Sequence, residues 1–311
     1  MRVPLPAAMI TMSSAKSVVA MPRPLLRAAI IAALSAVLVL VSGCSAIGLV
    51  YKQADSLAFR WLDRYAEFDD AQSLRVREAI AAWFTWHRRT QLPDYADLLT
   101  GVEADVLADT TAERLCTLWT EVRSRIDRGL DQAMPAIVDV AMSLKPAQLK
   151  SIEERFVKTN SEYRDEFMQA DPVKRSRKMV KRIANRAEWL YGDLGKPQRE
   201  RIEQSVGESP FDVDLAFDER RRRQQDSLQT LRRVAGGNVH EAVARTEIGA
   251  WLQRVERSPR DNYRSYSDRL VRHNCRMAAD LHNSTTLAQR QFAAKQLKGW
   301  VSDLRALAAD G

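Results

Sequence analysis

The stretch Ala112-Glu-Arg-Leu-Cys-Thr-Leu-Trp-Thr-Glu-Val-Arg-Ser-Arg-Ile-Asp-Arg-Gly-Leu130 decides the fold class. Leu115, Leu118, Trp119, Val122, Ile126 and Leu130 recur every three or four residues, which lines one face of a helix and no face of a strand. The same period extends in both directions. Leu57, Trp61, Tyr65 and Phe68 follow it in 47–66, and Leu149, Ile152, Phe156, Tyr163 and Phe167 in 147–168. Val180, Ile183, Ala187, Leu190 and Leu194 continue it in 173–194. Tyr263, Tyr266, Leu270, Met277 and Leu281 carry it in 260–283, and Ala294, Leu297, Val301, Leu304 and Ala308 in 287–309. Shorter helical patterns occupy 70–90, 94–107, 197–206, 213–233 and 239–256. With 12 Gly and 11 Pro in 311 residues, and no run of alternating β-branched residues, the expectation is an all-α, bundle-like domain of about 9–11 helices.

Helix starts share a signature: an apolar residue, a short polar or Pro-containing step, then Gln or Glu. It recurs in Phe68-Asp-Asp-Ala-Gln72, Leu107-Ala-Asp-Thr-Thr-Ala-Glu113, Leu144-Lys-Pro-Ala-Gln148, Leu194-Gly-Lys-Pro-Gln198 and Thr286-Leu-Ala-Gln289. Asp and Thr caps accept orphan amide hydrogens, a Gln three residues on closes a capping box, and Pro suits a first turn that lacks a use for its N–H. The recurrence hints at a repeated helix pair of roughly 40–50 residues, irregularly spaced. Gly207-Glu-Ser-Pro-Phe-Asp212 reads as an internal break, and Gly236-Gly-Asn-Val as a helix end.

Before this body, Ala28 to Val41 is uncharged and holds a single Ser, with Arg23 and Arg27 ahead of it and no acidic residue before Cys44. The run is shorter than the roughly 18–20 apolar residues of a membrane span and has the length of an export signal's apolar region. Val41-Ser-Gly-Cys44 resembles the lipobox of bacterial lipoproteins, in which the cysteine is acylated and becomes the first mature residue. The alternative is an ordinary secretory signal or short anchor with an incidental cysteine. The expected layout is a signal peptide at 1–43, with Met21 a candidate true start, and a lipid-anchored helical periplasmic domain at 44–311. By resemblance to sorted lipoproteins, Ser45 after the cysteine implies the outer membrane, and the acyl chains on Cys44 make that membrane the first partner.

Charge narrows the partners. Four of the 48 basic residues (Arg2, Lys16, Arg23, Arg27) precede Cys44, which leaves 44 against 40 acidic residues. That mild excess, in an exported chain, excludes nucleic acid as the expected partner. Cys116 and Cys275 remain after Cys44, an even pair suited to one disulfide in an oxidising compartment, or else two separate buried thiols.

Four features invite functional readings. The aromatics of 51–95, including Trp61, Trp83, Phe84 and Trp86, fit a membrane-facing or apolar-ligand surface, or simply a helix-hairpin core. The runs Lys174-Arg-Ser-Arg-Lys178 and Arg220-Arg-Arg-Arg223 could meet anionic headgroups, but four successive arginines point all round a helix, so a salt-bridged face is the better reading. Trp86-His-Arg-Arg89 reads as a helix end that could grip an anion, with His87 a remote candidate general base. Trp61, Trp86, His87, Arg88 and Arg89 are accordingly the candidate interaction surface. His273 and His282 lie on opposite sides of a helix, nine residues apart, and cannot share a metal. No motif of a metalloprotease, serine hydrolase, phosphate loop or dinucleotide site appears. No enzyme activity, catalytic residue, metal or cofactor is therefore expected.

The segments Tyr51-Lys-Gln-Ala-Asp55, Trp61-Leu-Asp-Arg-Tyr65, Trp86-His-Arg-Arg-Thr-Gln-Leu-Pro-Asp-Tyr95, Ser209-Pro-Phe-Asp212, Arg222-Arg-Gln-Gln-Asp226 and His282-Asn-Ser-Thr-Thr286 resemble an uncharacterised family of proteobacterial lipoproteins, a domain of unknown function. The resemblance implies an all-helical periplasmic body and transfers no catalytic residues. Leu144-Lys-Pro-Ala-Gln148 and Leu194-Gly-Lys-Pro-Gln198 are also similar to the Leu-Thr-x-x-Gln motifs of small periplasmic chaperones, without the Thr. The expected function is a structural or protein-interaction role at the periplasmic face of the outer membrane, toward an unknown envelope partner. The alternative is a chaperone-like or apolar-ligand-binding helical module.

Overall fold

A computed structural model describes residues 46–237 and 239–310; the expected signal peptide at 1–43, with Met21, and the expected lipidation site Cys44 lie outside the described residues. Every regular element is helical. The chain forms α1 (Ala46–Tyr51), α2 (Ala54–Ala66), α3 (Asp70–Trp86), a π turn (His87–Gln91), α4 (Leu92–Asp105), α5 (Ala112–Ser143), α6 (Pro146–Phe167), α7 (Pro172–Tyr191), α8 (Lys196–Gly207), α9 (Val213–Val234), α10 (Glu241–Glu256), α11 (Asp261–Asn283) and α12 (Leu287–Ala309). Because α3, the π turn and α4 are continuous, these make eleven helical rods among the described residues. Residues 47–311 form one unit, and 207–212 is the passage from α8 to α9 inside it.

Four of the helix starts assemble into two matching knots. At α3, Asp69 accepts the Gln72 N–H at 2.8 Å while Gln72 Oε1 accepts the Asp69 N–H at 3.1 Å. At α6, Gln148 Oε1 likewise accepts the Lys145 N–H at 2.9 Å. The two side-chain amides then join: Gln148 Nε2 donates to Gln72 Oε1 at 2.7 Å and Gln72 Nε2 to Gln148 Oε1 at 3.1 Å. Each also donates across to the other helix's entry, Gln72 to the Ser143 carbonyl at 2.8 Å and Gln148 to that of Glu67 at 3.2 Å. The second knot repeats this at α8 and α12. Gln198 and Gln289 exchange bonds of 2.8 and 3.0 Å, and reach the carbonyls of Ser284 and Asp193. In all four cases the accepting carbonyl lies two residues before the partner's N-cap. The glutamine therefore caps its own helix and satisfies an orphan carbonyl at the end of another.

Cores form beside each knot. Ala66, Leu144, Ile152 and Leu228 are buried together by the first, and Ala184, Leu194, Ile202 and Leu281 by the second. A third core joins α5, α9 and α10 through Val138, Ala141, Val234, Ala244 and Ile248. The carboxyl-terminal α12 packs along α4, burying Ala293 and Leu297 against Val106. Cys116 of α5 and Cys275 of α11 lie at disulfide distance, bonded with Cα atoms 5.5 Å apart, within the usual span for such a bridge.

One expectation about packing changes. The stripe that opens at Leu115 is only partly covered: Trp119, Ile126 and Leu130 remain exposed. Helix α10 has half the length of α5, 16 residues against 32, and its buried Ala244 and Ile248 meet the carboxyl-terminal half of α5.

Candidate functional site

A groove of about 550 Å³ lies between α2 and α9, floored by α6. Trp61, Leu62 and Tyr65 form the α2 wall, Ile152 and Phe156 the floor, and Ala216, Arg220 and Arg223 the α9 wall. The aromatic rings are mutually oriented: Tyr65 lies 5.1 Å from Trp61 and meets Phe156 edge-on at 6.0 Å. Apolar side chains dominate the lining and a few polar groups stand at one wall, the usual composition of a small-molecule cleft.

Behind the α9 wall lies a cage of charge. Glu219, with a side chain 1% exposed, is bound by Arg222, Arg223 and Arg260 at 2.9, 3.0 and 2.7 Å. Asp226 pairs with Arg254 at 2.9 Å and with Arg222 at 3.4 Å. Burial alone raises the Glu219 pKa, but the three guanidinium hydrogen bonds outweigh it and hold the carboxyl at about 2. Asp226 is lowered in the same way: burial opposes, and the bonds to Arg254 and Arg222 prevail. The arginine run thus divides its members around α9, as one helical turn requires. Arg222 and Arg223 serve the cage, Arg220 binds Asn160 at 2.9 Å, and Arg221 faces solvent.

The surface anticipated from Trp61, Trp86, His87, Arg88 and Arg89 is not one patch. Trp61 is exposed and belongs to the groove. His87 is buried, stacked on Trp83 at 4.6 Å and on Tyr51 at 5.9 Å, with Tyr51 Oη 2.9 Å from its Nδ1. Burial lowers its pKa, so it stays neutral as a packing group. Trp86 and Arg88 are half-buried and Arg89 is exposed. Nor is this a helix end. The Leu92 N–H bonds back to the His87 carbonyl, the wider π pattern, and the rod continues through Pro93. A proline ring clashes with the carbonyl four residues earlier in an α-helix, and the extra residue of a π turn relieves that clash. Asp94 then binds Arg125 and Arg128 of α5.

His273 lines a cavity of about 490 Å³ between α7, α8 and α11. Its Nε2 stands 2.9 Å from the Ser205 carbonyl and 3.2 Å from Ser205 Oγ. A carbonyl only accepts, so Nε2 carries the proton and has no lone pair with which to take one from Ser205. The pair is therefore not an activated nucleophile. His282 faces another way, between Tyr191 Oη at 2.9 Å and the Ala108 carbonyl at 2.7 Å. Among the described residues no group of three or more His, Cys, Asp or Glu could hold a metal ion, and no helix is long and apolar enough to cross a membrane.

The groove joins two signals that were each visible in the sequence, the aromatic stripe of α2 and the arginine run of α9. Their juxtaposition was not legible, because α6 brings together segments more than 150 residues apart.

The all-helical body with this groove matches one family model: residues 64–245 fit a family of unknown function, DUF6279. The chain belongs to that family. No curated protein and no solved structure matches it.

Proposed function

We propose that this is a lipid-anchored lipoprotein of the bacterial outer membrane, facing the periplasm and acting as a non-enzymatic interaction or structural protein. The observation that carries the reading is the surface of the first two helices. Leu49, Val50, Leu57 and Trp61 are 60%, 61%, 46% and 54% exposed, crowded into the start of the body, and only Ser45 separates Cys44 from α1. Lys52, Arg60 and Arg64 are exposed in the same stretch. An exposed apolar face with interspersed cations suits the boundary of a bilayer carrying anionic headgroups. The Cys116–Cys275 pair adds support, since such bonds persist in oxidising compartments. An acyl anchor with an apposed helix face gives the two signals that stable attachment needs.

The test is metabolic labelling with a palmitate analogue, followed by separation of inner and outer membranes. The wild-type chain takes up label and sediments with the outer membrane; Cys44→Ala takes up none and is recovered uncleaved or soluble. Normal cleavage and membrane attachment of the variant overturns the reading.

A further inference from the structure

We infer that the groove between α2, α6 and α9 binds a long-chain fatty acid, its acyl chain on the apolar floor and its carboxylate at Arg220 and Arg223. This deepens the apolar-ligand reading and is independent of the anchor at Cys44.

The argument is one of charge complementarity beside an apolar surface. Five arginines (Arg220, Arg222, Arg223, Arg254, Arg260) surround the α9 wall, and three carboxylates (Asp218, Glu219, Asp226) answer them. Two positive charges are left over. Arg220 is the clearest surplus. Its partners are the neutral Asn160 side chain and the Tyr163 ring at 5.3 Å, and among the described residues no carboxylate lies within ion-pair distance of it. Arg223 binds Glu219 through Nε alone and sits over Tyr263 at 5.7 Å. Glu219 also lines the groove, but its oxygens already serve three guanidinium groups. Its negative charge is thus balanced, and it does not repel an incoming anion.

The rest of the groove is mainly apolar. Leu62, Leu144, Ile152 and Phe156 present hydrocarbon surface, and the Tyr65 and Tyr263 hydroxyls and the Gln224 amide are the few polar groups beside them, so the bound portion is mainly hydrocarbon. The volume of about 550 Å³ falls in the ~300–1,000 Å³ range of small-molecule sites. A guanidinium binds a carboxylate through two parallel hydrogen bonds, which fixes the head end.

The probe is dansyl-undecanoic acid, whose fluorescence rises in an apolar site, titrated into the full chain carrying Cys44→Ala. Oleate displaces it, and methyl oleate does so about tenfold less well, because the ester has lost the charge that Arg220 and Arg223 recognise. Arg220→Gln with Arg223→Gln weakens probe binding about tenfold without changing the displacement by methyl oleate. Leu62→Glu, a surface position, weakens it through like-charge repulsion. Thermal melts establish that each variant is folded. Equal displacement by acid and ester, binding insensitive to both arginines, or no binding by a folded protein overturns the proposal. So does stronger displacement by phosphatidylglycerol vesicles or by an unfolded apolar polypeptide than by oleate.

Discussion

The two glutamine knots have the same wiring and different surroundings. At the first, both glutamines are buried (Gln72 3%, Gln148 6% exposed) and an ion pair, Lys145 to Asp69 at 2.8 Å, lies over them. Its floor helix α6 carries α9, which is held in turn by the arginine cage around Glu219. At the second knot Gln198 is buried but Gln289 is only half-buried. It is braced from outside: Asn283 exchanges two bonds with Thr110, each 2.9 Å, Arg290 reaches the Leu107 carbonyl, and the disulfide sits on the same α11. One half leans on charge and the other on a covalent bond. A local capping code can therefore build the same joint twice while the tertiary setting decides what reinforces it.

This contrast predicts that reduction and acid strike different halves. Replacing Cys116 and Cys275 together by Ala opens a cross-link spanning 159 residues and should cost about 3–5 kcal/mol in a urea melt. Hydrogen exchange should rise first in α11 and around the second knot; an unchanged melt would deny the covalent brace.

Acid is the next largest lever. The Glu219 carboxyl sits at about 2 when folded against an ordinary 4.5. Its stabilisation is fully present above about pH 4.5 and lost as pH falls towards 2, worth on the order of 3 kcal/mol. Glu219→Gln should flatten that part of the stability profile and lower stability at neutral pH, because three arginines lose their counter-charge. A profile of unchanged slope in the variant would show that the cage does not govern acid sensitivity.

Gln72→Ala leaves the Ser143 carbonyl and the Gln148 amide without their partner in a buried place, and should cost about 2 kcal/mol. Gln289→Ala, at the half-buried corner of the other knot, should cost about 1 kcal/mol, since water reaches part of the space that it leaves. A double-mutant cycle on Gln72 and Gln148 should give a coupling of about 1 kcal/mol or more. Equal losses at the two knots would mean that burial does not separate them.

Much of this was legible beforehand. The period of the apolar residues gave the helices, and the capped starts at Gln72, Gln148, Gln198 and Gln289 were visible as local chemistry. What could not be seen was that each glutamine's second hydrogen-bonding end would find another helix's last turn. Capping is a contact across three residues, whereas Gln198 and Gln289 are 91 apart. The apparent helix end at Trp86-His-Arg-Arg89 misled for a related reason. Pro93 ordinarily stops a helix, and only packing of His87 between Trp83 and Tyr51 shows why the rod continues through a π turn.

Sequence by itself determined the helical class, the helix starts, the scarcity of catalytic motifs and the pairing potential of two cysteines, because each rests on interactions within a turn or on residue chemistry. Tertiary structure alone decided which apolar stripe is covered, as on α5, where Trp119 stays open and Val138 does not. It alone decided that three of the four successive arginines would be shared between a cage and a groove, and that Arg221 would face solvent. Those outcomes depend on which helix lies alongside which, and periodicity records only that a face exists, not what meets it.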